Sequence, residues 1–184
     1  MKPKRCFIAL DLPREVINEI KRVQKLIGKK FIFKGKYTEL ENLHLTLKFL
    51  GEIDDARIRE VRERLKRVEV SRFDVKLGKV GVFSKKVLRI IWVELLGVSG
   101  LQEEVDKALD GLFGKEERFM SHITIARVKY IKENEELIEY LKCMKVKGGF
   151  KVDRFFLKES ELMDDGPRYR VIESYRLSDR ENIT

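Results

Sequence analysis

The chain has two histidines, His44 and His122, and both sit in the same local pattern. His44 lies in "NLHLTLKFL" and His122 in "SHITIARV", each followed two residues later by a threonine, Thr46 or Thr124, inside an apolar run. Residues two apart on a strand point to one face. As strands, these stretches put His44, Thr46 and Lys48 together, with Leu43, Leu45, Leu47 and Phe49 toward a core. They likewise put His122 and Thr124 together, with Ile123 and Ile125 opposite. An imidazole beside a hydroxyl, present twice, suits displacement at phosphorus. A neutral histidine takes a proton from an attacking hydroxyl or water, and a protonated one gives a proton to the departing oxygen. The threonine hydroxyls donate to the non-bridging phosphoryl oxygens. A single His-x-Thr is an ordinary half-solvated strand face, since threonine favours strands. Two copies at matched positions that use up the histidine supply need another reason.

The elements around the two motifs repeat. "RCFIALDL" reads as a buried strand, and "PREVINEIKRVQKLIG" follows with Val16, Ile17, Ile20, Val23 and Ile27 at helical spacing and Pro13 suited to a first turn. The first motif strand ends at Gly51, "DDARIREVRERLKRV" carries Ile58, Val61, Leu65 and Val68 on one helical stripe, and "RFDVKLGKVGVF" is a strand bent at Gly78 or Gly81. The order then restarts: strand "VLRIIWVELL", then helix "SGLQEEVDKALDGLFG" opening with a Ser99-x-x-Gln102 capping box. The second motif strand, helix "ENEELIEYLKCM" and strand "FKVDRFFLKES" complete it. This predicts an α+β fold of duplicated β-α-β-α-β units, about 5–84 and 87–160, with a C-terminal strand near 168–177, all one domain over 1–184. Units sharing one core are related by an approximate two-fold axis, which lets the motif strands face each other across a groove.

Composition bounds the partners. Lys and Arg number 40 against 31 Asp and Glu, a net charge of +9. Such a surplus favours anionic partners, nucleic acid first, or serves only solubility. Charged residues make up 39%, and Gln and Asn are scarce, a balance found in proteins of hot-growing organisms. Cys6 and Cys143 form no zinc or disulfide framework. The N-terminal apolar run is too short for a signal peptide, and nothing approaches a membrane span. The expectation is a cytoplasmic protein without metal or cofactor, and a site complete in one chain lets a monomer work.

The motifs carry a resemblance. "NLHLTLKFLGE" and "SHITIARV" resemble the paired signatures of the two-histidine phosphoesterases, and within them the chain looks like the RNA 2′,3′-cyclic phosphodiesterases, also called 2′-5′ RNA ligases or LigT-like proteins. "FIALDLP", "GVFSKKVLRIIWVEL" and "GPRYRVIESYRL" match too, so the resemblance spans nearly the whole chain; Ile125 stands where leucine is usual. It implies a bilobal, pseudo-two-fold fold with a central cleft, no metal, and opening of a terminal 2′,3′-cyclic phosphate on RNA, a tRNA fragment or other oligonucleotide, to a 2′-phosphomonoester. His44 would be the proton donor and His122 the proton acceptor, with Thr46 and Thr124 on the phosphate, although the two histidine roles can be exchanged. Joining a cyclic end to a 5′-hydroxyl through a 2′-5′ link is the reverse reaction. Two rival readings are a non-catalytic RNA-end-binding protein and an RNA-cleaving transesterase.

Other residues are candidates for the site with less to distinguish them. Lys48 either attracts phosphate or is a solvated strand lysine. The resemblance gives Arg127 an anion-binding role, yet strict alternation turns it away from His122, unless the strand twists or ends there. Phe83, beside Ser84 and Lys86, could stack a nucleobase. Trp92 fits core packing better, and Tyr169 is either structural or part of the site.

Overall fold

A computed structural model describes residues 2–31, 33–84, 86–164 and 166–179. The strands are β1 (Lys4–Asp11), β2 (Phe33–Tyr37), β3 (His44–Ile53), β4 (Phe73–Val82), β5 (Ile90–Leu96), β6 (His122–Ile131), β7 (Gly149–Val152), β8 (Arg154–Met163) and β9 (Gly166–Arg176). The helices are α1 (Arg14–Lys30), α2 (Asp55–Leu65), α3 (Ser99–Ala108) and α4 (Asn134–Cys143). β2 was not expected: "FKGKY" is short, charged and broken by Gly35, so it lacks a strand's apolar alternation. The single expected strand at 150–160 is divided at Asp153 into β7 and β8, which pair with β4 and β9 respectively.

All strand pairs are antiparallel, in the order β7-β4-β5-β6-β3-β1-β8-β9, with β2 added to β6. The order reads as a palindrome about the β6–β3 contact. β5 flanks β6 as β1 flanks β3, and the last strand of each unit crosses over: β4 pairs with β5, and β8 with β1. Helices cross too, α1 packing on β6 and α3 on β3.

Buried stripes explain the helices. Val16, Ile20, Val23 and Ile27 of α1 and Ile58, Val61 and Leu65 of α2 join Leu45, Leu47, Ile123 and Ile125 in one apolar core. Pro13 caps α1, and the Asp54 side chain accepts from the Arg57 amide at 2.8 Å to start α2. The Ser99–Gln102 capping box does not form. Val98 is the cap residue, and the Gln102 amide turns inward to donate to Asp106 at 2.7 Å, because that carboxylate is buried and needs donors. α2 stops at Leu65, short of Val68. β4 bends at Gly78, where its register with β5 slips and a Cβ would lie 2.6 Å from the Glu94 carboxylate.

Candidate active site

β3 and β6 meet at one registered pair, Leu45 opposite Ile123. Antiparallel register then sets His44 across from Thr124 and Thr46 across from His122, all on the face opposite the two buried partners. Beyond the threonines each strand carries a bulge at the same place. Leu47 and Lys48 together stand opposite Ile8 of β1, and Ile125 and Ala126 together stand opposite Ile91 of β5. A bulge inverts the alternation after it. Lys48 is therefore turned to the core, 4% exposed, and does not share the His44 face; Phe49, expected in the core, stands 70% exposed on the cleft side. By the same inversion Arg127 lines the cleft with His122 and Thr124, which resolves the conflict that strict alternation created. Phe49 and Arg127 occupy equivalent places in the two halves.

Each bulge is pinned from the opposite half. Lys48 Nζ forms an ion pair with Asp106 of α3 and donates to the Gly114 carbonyl at 2.7 Å. Burial pushes the Asp106 carboxyl up, but bonds from Lys48, the Glu116 amide and Gln102 together outweigh it and leave its pKa below the ordinary value. In the second bulge the Ile125 carbonyl accepts from the Thr38 amide at 3.0 Å and from the buried Gln24 side chain of α1, also at 3.0 Å. Gln24 also donates to the Thr38 carbonyl at 2.9 Å.

The histidines are oriented alike. His44 Nδ1 lies 2.7 Å from the Asn42 carbonyl and His122 Nδ1 lies 2.7 Å from the Met120 carbonyl. A carbonyl only accepts, so each Nδ1 carries the proton and each Nε2 of a neutral ring is an open acceptor. Aromatic rings hold both. Tyr169 stands edge-on to His44 at 4.9 Å with Phe7 at 5.1 Å, and Phe83 stands edge-on to His122 at 4.8 Å. Burial lowers the pKa of His44, opposed by its bond to the Asn42 carbonyl; nearby Lys158 lowers it further and Asp11 raises it. Those last two are ion-paired to each other, with Asp11 opposite His44 in the β1–β3 register.

The cleft has a volume of about 620 Å³ and is lined by His44, Thr46, His122, Thr124 and Arg127. Phe7, Phe49, Leu162 and Tyr169 also line it, along with Lys36, Tyr37 and Asn42 from the segment between α1 and β3. Phe83 is half-exposed but packs on His122, and Trp92 is buried as expected. Cys6 reaches the cleft wall as a buried thiol, its pKa pushed up to about 11 by burial, while Cys143 is exposed; neither is in a disulfide. Among the described residues no three His, Cys, Asp or Glu side chains converge as a metal-ligand group, and no helix is long and apolar enough to cross a membrane. Phe49 was missed for want of the bulge. Lys36 and Asn42 had no signal, because only the chain's return past β6 brings them in.

The profile of the LigT like Phosphoesterase family matches residues 10–92 and 97–169. The chain is 33% identical over 178 residues to an RNA 2′,3′-cyclic phosphodiesterase of Methanocaldococcus jannaschii, covering 93% of this chain and 99% of that protein. It is 34% identical over 176 residues to the protein so named in Thermotoga maritima, covering 91% and 92%. Among solved structures, LigT of E. coli in apo form has a TM-score of 0.76 at 23% identity, covering 97% of this chain and 99% of that one. The same E. coli protein complexed with 3′-AMP has a TM-score of 0.76 at 24% identity, covering 96% and 99%.

Proposed function

The chain belongs to the LigT-like phosphoesterase family, and from that premise we propose that it hydrolyses 2′,3′-cyclic phosphate ends of RNA to 2′-phosphomonoesters, with His44 and His122 as the proton-transfer groups. Relatives named RNA 2′,3′-cyclic phosphodiesterases, a third identical over nearly the full length, support the activity. The observation that carries the mechanism is the matched pair of imidazoles, each with Nδ1 held by a backbone carbonyl and each lining the cleft.

His122 Nε2 takes a proton from water as the water oxygen attacks phosphorus. The bond from phosphorus to the 3′ oxygen breaks, and protonated His44 gives that oxygen its proton. The product carries a 2′-phosphate and a 3′-hydroxyl, and solvent resets both rings. Thr46 and Thr124 donate to the non-bridging oxygens, and Arg127 balances their charge. No metal enters these steps. Run backward with a 5′-hydroxyl in place of water, the same groups make a 2′-5′ link. A cleft whose two histidines and two threonines all come from one chain fits an intracellular enzyme that works as a monomer. Lys48 has no part in binding in this scheme, since its ammonium group is committed to Asp106.

The test is an RNA ending in a 2′,3′-cyclic phosphate, incubated in EDTA with wild type, His44→Ala and His122→Ala, and the product identified. A 2′-phosphate from wild type, with each variant slowed by about 10²–10⁴-fold, is expected. The double variant should lose little more than the worse single one, because groups acting as a unit are non-additive. An untouched cyclic end with folded wild type would leave an RNA-end-binding protein. Shortened chains with new cyclic ends would mean a transesterase.

A further inference from the structure

Building on the hydrolase reading above, we propose that the β2–β6 strand pair carries single-stranded RNA away from the cleft, through a subsite formed by Lys34 and Tyr130. Cross-strand partners share a face. At the cleft rim Lys36, itself paired with Glu39, stands opposite Arg127; the next same-face position on β2 is Lys34, opposite Tyr130. This step of two residues advances about 7 Å outward from the phosphate-facing end of the cleft. Gly35 makes the close approach possible, since a Cβ there would lie 2.2 Å from the Arg127 carbonyl, and the β2–β6 register slips beside it.

The two side chains have the chemistry for a sugar-phosphate chain with unstacked bases. Tyr130 is 61% exposed, and no ring among the described residues packs on it. An exposed aromatic beside a cation is what single-stranded RNA uses, the ring taking a base and the ammonium a phosphate. Lys34 is exposed and forms no ion pair with a described residue. On the basic helix α2, by contrast, Arg57, Arg62 and Arg64 are tied to Glu60 and Glu173. The cleft's other wall is largely apolar, with Phe7, Phe49 and Leu162, and also carries Arg5. On the Arg127 side the cations continue outward as Lys36 and Lys34, and the polynucleotide leaves along them, with its 5′ portion over Lys34 and Tyr130. The substrate this fits is an oligonucleotide, not a free cyclic nucleotide.

The test compares kcat/KM for a mononucleotide 2′,3′-cyclic phosphate with that for a pentanucleotide ending in the same group. In wild type the pentanucleotide should be preferred by tenfold or more. Tyr130→Ala should cut that preference on the order of tenfold, from one lost base stack, while Tyr130→Phe keeps it. Lys34→Glu should lower it and reduce the salt slope of pentanucleotide binding by about 0.7. Arg57→Glu, the same charge reversal on α2, should leave the preference intact. Equal treatment of the two substrates by wild type overturns the proposal, as does a preference that survives both Lys34→Glu and Tyr130→Ala, or one lowered as much by Arg57→Glu. Should wild type hydrolyse neither substrate, the hydrolase reading fails by itself. Fluorescence anisotropy of a pentanucleotide ending in a 2′-phosphate then decides the subsite with the same variants, weakened binding supporting it and unchanged binding overturning it.

Discussion

His44 lies in a pocket that disfavours its charge when the cleft is empty. Burial lowers its pKa first, and Lys158 adds to this, while the Asn42 carbonyl and Asp11 act against them. An anionic phosphate against Nε2 reverses the balance, because it favours the imidazolium. The sign follows by linkage. The free protein holds His44 neutral down to below the ordinary imidazole value, and the complex holds it charged to higher pH. Binding of a 2′-phosphomonoester therefore takes up a proton between those two values, and affinity rises as pH falls through that window, with no further gain from His44 below the free-state pKa. Calorimetry near pH 6.5, about the unperturbed imidazole value, in two buffers of different ionisation enthalpy should register this uptake. His44→Gln should reduce it. A wild-type uptake unchanged in that variant would assign the proton to another group.

Elements matter through the two bulges. A strand of perfect alternation would have placed Lys48 in the cleft and Arg127 outside it; one extra residue in each strand exchanges these outcomes. The Lys48–Asp106 pair holds the first bulge at a position where both side chains are almost fully buried, at 3% and 4% exposure. Removing one partner of such a pair leaves the other charge stranded. Lys48→Met should destabilise the protein by about 3–5 kcal/mol, read from denaturant unfolding. Lys48→Met combined with Asp106→Leu should recover most of the loss, since replacing both partners with apolar groups removes the stranded carboxylate. A near-neutral single variant would mean that the Gln102 and Glu116 bonds alone satisfy Asp106.

At the scale of the whole molecule, the halves are knitted by exchange of strands and helices. β4 finds its neighbours only in β5 and β7, and β1 needs β8 on its outer edge. A fragment of residues 1–86 keeps only the β1–β3 pairing and exposes the faces that α3, β6 and β8 cover. It should give no cooperative thermal transition by circular dichroism, whereas the full chain should melt in one. A cooperatively melting fragment would show that the first half carries its own core. The same interlock explains why the site needs no flexible hinge to assemble: β3 and β6 are adjacent strands of one sheet.

The sequence by itself determined most of the elements and the residues of the candidate site. Apolar periodicity set the main strands and helices, and the matched His-x-Thr pairs named the four side chains that meet at the β3–β6 contact. These are local signals, carried by neighbours in the chain. Tertiary structure decided which face each residue takes beyond the threonines, because a bulge is set by what a strand pairs with and what pins it. Lys48 needed Asp106, 58 residues away, to be drawn inward, and Arg127 depended on Ile125 being held by Gln24 and Thr38 from α1 and the chain after β2. β2 itself, with the Lys34–Tyr130 step it creates, is a strand only because β6 offers it hydrogen bonds. No pattern within this five-residue, glycine-broken segment encodes a partner that lies nearly a hundred positions further along.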